Sequence, residues 1–126
     1  MACKVLVVDD DQRTREALVE ILHRAGYDVT ALASGDGMED LLVGNDFAAA
    51  IIDYHLPSRN GLEIAQSLRK NLPDCRIVLT SSEYQPRHQS CDLLAAVDRF
   101  LAKPFSKTAL LNTLLELCPA PNLIPG

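Results

Sequence analysis

Hydrophobic and polar positions alternate between two periods along this chain. A short valine-rich run at residues 5–8 stops abruptly at Asp9, Asp10 and Asp11, which predicts a fully buried strand ending at a polar edge. Over residues 12–25 the apolar positions Ala17, Leu18, Ile21, Leu22 and Ala25 recur at helical spacing, and Gly26 stands where a helix end favours a left-handed residue. The alternation continues with a strand at 28–32, a short helix at 35–43 and a buried strand at 47–52 that runs into Asp53. A loop containing Pro57 follows, then a helix over 60–71 in which Asn60 is the expected N-cap and Leu62, Ala65 and Leu68 share a face. The rest predicts a strand at 76–80, a weaker helix at 87–96, a strand at 99–102 and a leucine-rich helix at 107–117.

Five strand–helix units of this kind demand parallel pairing with right-handed crossovers, so helices must cover both faces of one sheet. The expected fold class is α/β, a flavodoxin-like (βα)5 doubly wound sandwich with strand order 2-1-3-4-5. Residues 1–118 are expected to form the domain. Residues 119–126, with three prolines and a glycine, read as a C-terminal tail or linker stub. Met1 reads as the true N-terminus.

The 126 residues suit one domain, and 48% hydrophobic with 23% charged residues is an ordinary globular composition. A net charge of -5 with no basic cluster argues against direct nucleic-acid binding. The longest apolar run, 47–52, is far shorter than a membrane span, so no membrane association and a cytoplasmic location are expected. Cys3, Cys75, Cys91 and Cys118 form no C-x-x-C pair, so they read as small apolar residues rather than a zinc site or disulfide framework.

In a doubly wound sheet the carboxyl ends of the strands meet at one rim, where ligands bind. Asp9 and Asp10, Asp53, Thr80 and Lys103 all fall there. Three converging carboxylates need a cation to offset their repulsion. Mg2+, a hard ion that prefers oxygen ligands, fits, with Mn2+ as a substitute, and Lys103 supplies a second positive charge. Asp53 is then a credible nucleophile toward phosphorus, Asp9 and Asp10 hold the metal, and the Thr80 hydroxyl can donate to a phosphoryl oxygen. Taken alone, Asp9, Asp10 and Asp11 would be no more than an acidic helix start.

The segments V-L-V-V-D-D-D at 5–11, I-I-D-Y-H-L-P-S-R-N-G-L-E at 51–63, V-L-T-S-S at 78–82 and F-L-A-K-P-F at 100–105 together resemble the response regulator receiver domain of two-component signalling, over residues 4 to about 117. The resemblance implies that Asp53 is the phosphoacceptor, Asp9 and Asp10 the acidic pair, Thr80 the switch hydroxyl and Lys103 the phosphate-binding lysine. It further implies metal coordination by the His55 backbone carbonyl, a cis Lys103-Pro104 bond and Phe100 as switch aromatic. A sensor histidine kinase or phosphotransfer protein is the implied donor. A downstream protein, or a second copy in a homodimer, is the implied reader of the face made by the fourth helix, fifth strand and last helix. Two features depart from the usual pattern: His55 itself, and the stretch 94–99, which lacks a Gly-Ala turn. Rival functions are a constitutive protein-binding module on a degenerate receiver, and a metal-dependent phosphohydrolase in which His55 mimics the general acid.

Overall fold

The computed structural model describes residues 3–57, 59–82 and 95–118. Its elements are β1 (Lys4–Val8), α1 (Gln12–Arg24), β2 (Asp28–Leu32), α2 (Met38–Leu42), β3 (Ala49–Asp53), α3 (Gly61–Asn71), β4 (Arg76–Ser81), β5 (Arg99–Ala102) and α4 (Lys107–Leu117). The strands form one sheet in the order β2-β1-β3-β4-β5, every pair parallel. This is the expected flavodoxin-like topology.

Strand alternation divides the core in two. Leu6, Val8, Ala50, Ile52, Ile77 and Leu79 face one layer, completed by Met38 of α2 and by Leu62, Ile64, Ala65 and Leu68 of α3. Val5, Val7, Ala49, Ile51 and Val78 face the other, completed by Leu18 and Leu22 of α1 and by Leu110 and Leu114 of α4. Because both faces are covered, the central strands are apolar throughout, which is why they read as continuous runs.

Caps fix where the helices begin. Asp11 accepts from the Thr14 N–H at 3.0 Å, Asn60 from the Glu63 N–H at 2.9 Å and Ser106 from the Ala109 N–H at 3.0 Å. At the far end of α1, Gly26 takes φ 97°, the left-handed value expected of it.

Two expectations need correction. The second helix is shorter than 35–43, because Gly37 at φ 76° sits left-handed at its N-cap and delays the start to Met38. The third strand begins at Ala49 rather than 47, although Phe47 is buried against the core from the preceding loop. Of the helix expected over 87–96, only Ala95 and Ala96 lie among the described residues, and they form a turn. The tail expected at 119–126 also lies outside the described residues.

Candidate functional site

The chain leaves β1 for β2 on one side and returns to β3 on the other, so a crevice opens beyond the carboxyl ends of β1 and β3. Asp9 follows β1 directly and is 1% exposed, while Asp10 beside it is exposed. The backbone holds Asp9 tightly: its N–H donates to Leu32 O at 3.0 Å, its Oδ1 accepts from the Asp11 N–H at 2.9 Å, and its carbonyl accepts from Arg15 Nη1 at 2.9 Å. Asp53 ends β3 and is 7% exposed. Carboxylate oxygens of Asp9, Asp10 and Asp53 all lie within 4.8 Å of one another.

Lys103 bridges two of these acids. Its Nζ donates to Asp9 Oδ2 at 3.0 Å and lies 3.4 Å from Asp53 Oδ2. Burial pulls the Lys103 ammonium toward the neutral form, but the hydrogen bond to Asp9 and the charges of Asp53 and Asp9 outweigh it and raise its pKa. The carboxyl of Asp53 is also pushed above its ordinary value, first by burial and then by the neighbouring Asp9 charge, with Lys103 opposing. One ammonium against three carboxylates leaves an excess of two negative charges, and the donors are all hard oxygens. That set fits a divalent ion such as Mg2+.

Thr80 pairs with Asp53 in the β3–β4 register and is 1% exposed, yet its Oγ1 has no hydrogen-bond partner among the described residues. A buried hydroxyl left unpaired costs about 1–3 kcal/mol, so its position calls for an acceptor beside Asp53. His55 presents its backbone N–H to Asp53 Oδ1 at 3.3 Å. Its side chain is exposed and packs edge-on against Tyr54 at 4.8 Å between ring centres. The Lys103-Pro104 bond is cis, and the Lys103 N–H is held by Ser81 O at 2.8 Å.

Phe100 stands apart from this pocket. It lies on the edge strand β5, opposite Leu79, with 41% of its surface exposed. Two further residues carry structural work at the site that sequence inspection assigned to neither. Arg15 clasps the carbonyl of Asp9 from the first turn of α1. Gly61, directly after the Asn60 cap, allows α3 to start against the site: a Cβ there would lie 2.5 Å from Asp53 O and 2.8 Å from Tyr54 Cα. The glycine after a strong cap was the available signal.

A family model described as response regulator receiver domain matches residues 5–115. The chain is 33% identical over 117 residues to the response regulator MprA of a Mycobacterium species, which covers 93% of this chain and 51% of that protein. It is 30% identical over 118 residues to the sensory/regulatory protein RpfC of Xanthomonas campestris pv. campestris, covering 90% of this chain and 16% of that protein. The crystal structure of the response regulator TrrA from Thermotoga maritima, in complex with Mg2+-BeF, superposes with a TM-score of 0.79 at 28% identity, covering 91% of this chain and 98% of that one. A doubly wound sheet with an acid-lined rim is thus joined to a sequence match over most of its length. The chain belongs to the response regulator receiver domain family of two-component systems. It spans about half the length of one of these curated relatives and a far smaller part of the other.

Proposed function

We propose that this domain is the phosphoacceptor switch of a two-component phosphorelay, with Asp53 receiving a phosphoryl group from the phosphohistidine of a sensor histidine kinase or phosphotransfer protein. One observation carries this function: Lys103 spans Asp9 and Asp53 at the centre of a three-carboxylate cluster. In the transfer, an Asp53 oxygen forms a bond to phosphorus as the bond from phosphorus to the donor imidazole nitrogen breaks. The His55 N–H orients Asp53 through Oδ1, and Lys103 pairs with the incoming phosphoryl oxygens. Thr80 Oγ1 donates to one of those oxygens, gaining the partner it lacks.

Asp9, Asp10 and Asp53, with the His55 carbonyl, would hold Mg2+, or Mn2+ in its place. When bound, the ion neutralises charge on the carboxylates and on the transferred group. The domain acts on its own acyl phosphate alone and is not an enzyme with turnover on an external substrate. Phosphorylation adds about -1.5 to -2 charges, which draw Thr80 and Lys103 inward and let Phe100 follow. The face built from the segment before β5, β5 itself and α4 then changes for a downstream protein or a second copy of the chain. Residues 1–118 make up this unit and 119–126 a tail or linker. A cytoplasmic location agrees with the finding that, among the described residues, no helix is long and apolar enough to cross a membrane.

Incubation with a small phosphodonor and Mg2+ should give one acid-labile phosphate on the wild type and none on Asp53→Asn. Label retained on that variant would overturn the assignment. Steady turnover of a phosphomonoester would instead favour a hydrolase.

A further inference from the structure

The fold brings together two cysteines that lie far apart in the chain. Cys3 precedes Val5 and Val7 by two and four residues, so strand alternation puts it on the core layer covered by α1 and α4. Cys118 follows Leu110 and Leu114 at intervals of four, so the helical stripe of α4 carries it onto that same layer. Both belong to one cluster, Cys118 buried and Cys3 half-buried at its margin. Cys3 is near enough to Cys118 to contribute to the upward shift of its thiol.

The backbone holds this meeting point from both sides. Cys3 O accepts from the Asp28 N–H at 2.9 Å, which fixes Cys3 beside the start of β2. The Tyr27 hydroxyl, one residue earlier, donates to Cys118 O at 3.1 Å in a buried bond, and the Cys118 N–H is held by Leu114 O. Neither cysteine takes part in a disulfide in this structure. They sit at the amino edge of the sheet, opposite the rim that carries Asp9 and Asp53.

We propose that Cys3 and Cys118 form an intramolecular disulfide when the protein meets a peroxide, stapling the start of β1 to the end of α4. The half-buried Cys3 reacts first: its thiolate attacks a peroxide oxygen, the O–O bond breaks, and hydroxide leaves and is protonated to water. The Cys118 sulfur then attacks the resulting sulfenic sulfur, the S–O bond breaks, and the departing hydroxide takes the Cys118 proton as a second water. Two thiols and one hydrogen peroxide thus give one disulfide and two waters, with two electrons passing from sulfur to oxygen. Burial pushes the Cys118 thiol up to about 12, with the adjacent Cys3 adding to the effect, which suits the resolving role rather than the first attack. The staple would close a loop comprising nearly the whole chain and fix the end of α4 where residues 119–126 begin.

The test uses the full chain. After brief treatment with hydrogen peroxide, intact mass should fall by about 2 Da, the loss of two hydrogens on disulfide formation. Tryptic mapping should join the fragment ending at Lys4 to the fragment beginning at Thr108. The thermal midpoint should rise by about 5–10 °C, as expected for a disulfide closing so long a loop. Dithiothreitol should reverse both changes. Cys3→Ser should abolish the product and Cys91→Ser should keep it. Because Cys118 is buried and its replacement can unfold the chain, the more exposed Cys3→Ser decides the matter. Linkage through Cys75 or Cys91, a disulfide between two chains, or separate over-oxidation of the two thiols would each overturn the proposal.

Discussion

At the scale of single residues, Thr80 is an unfavourable choice for stability alone, whereas Gly61 is demanded by the backbone packed against it. The Thr80 hydroxyl is buried without a partner among the described residues, so Thr80→Val should leave stability unchanged or raise it by about 1 kcal/mol in urea unfolding. The same variant should lose most of the amide NMR response at Phe100 to a phosphoryl mimic such as beryllium fluoride. A full response would remove Thr80 from the switch. For Gly61, helix propensity favours alanine by up to about 1 kcal/mol, but the new Cβ would meet the backbone of Asp53 and Tyr54, which cannot yield. The clash wins, and Gly61→Ala should cost about 2 kcal/mol in the same measurement. Polar residues at strand ends made Asp53, Thr80 and Lys103 legible in the sequence. Arg15 was not, since its role comes from a hydrogen bond to a carbonyl, and Gly61 showed only as a glycine after the Asn60 cap, which does not reveal the close backbone approach it permits.

At the scale of elements, one clasp joins α3, β4 and β5. Arg69 donates through Nη1 to Pro73 O and Cys75 O, and through Nη2 to Ala96 O and Asp98 Oδ2, all within 3.1 Å. Asp98 Oδ2 also accepts from the Ile77 N–H at 2.7 Å. Burial alone would raise the Asp98 carboxyl, but the Ile77 bond and the Arg69 guanidinium outweigh it and hold it below the ordinary 3.8. A depressed folded-state pKa means that this stabilisation is complete above the unfolded value near 3.8 and is lost as pH falls through the lower folded value. Asp98→Ala should therefore cost about 2–3 kcal/mol at pH 7 in urea unfolding. The difference from wild type should shrink below pH 4, and a constant difference down to pH 2 would show that the charge on Asp98 plays no part. This clasp was invisible in the sequence, because nothing in the spacing of Arg69 and Asp98 indicates that the fold sets them side by side. By contrast β5 and α4 fell on their predicted boundaries, since Ser106 caps the helix and the leucine period runs unbroken to its end. The second helix was overextended because the apolar pattern around Met38 does not reveal that Gly37 is left-handed.

For the whole molecule, alternation implied a parallel doubly wound sheet and the flavodoxin-like class supplied the strand order, whereas the meeting of Asp9, Asp10 and Asp53 needed that topology before it could be read as a site. A divalent ion that binds only the folded chain adds about 2.7 kcal/mol of stability at a hundredfold excess over its Kd. Titration with Mg2+ should thus raise the unfolding free energy, and chelation should reverse it. Asp10→Ala, at an exposed position, should abolish most of that gain while leaving the metal-free stability nearly intact; an undiminished gain would place the ion elsewhere.

β1 is flanked by two different chemistries, a thiol at Cys3 before it and, after it, the Asp9 carboxylate that stands beside Asp53. Six residue steps along an extended strand amount to about 20 Å, so a rigid spacer keeps the two chemistries out of contact. Oxidant and phosphodonor applied together should therefore populate four distinguishable mass species in proportions set by simple multiplication of the two separate yields. Departure from that product would measure how strongly one edge of the sheet senses the other.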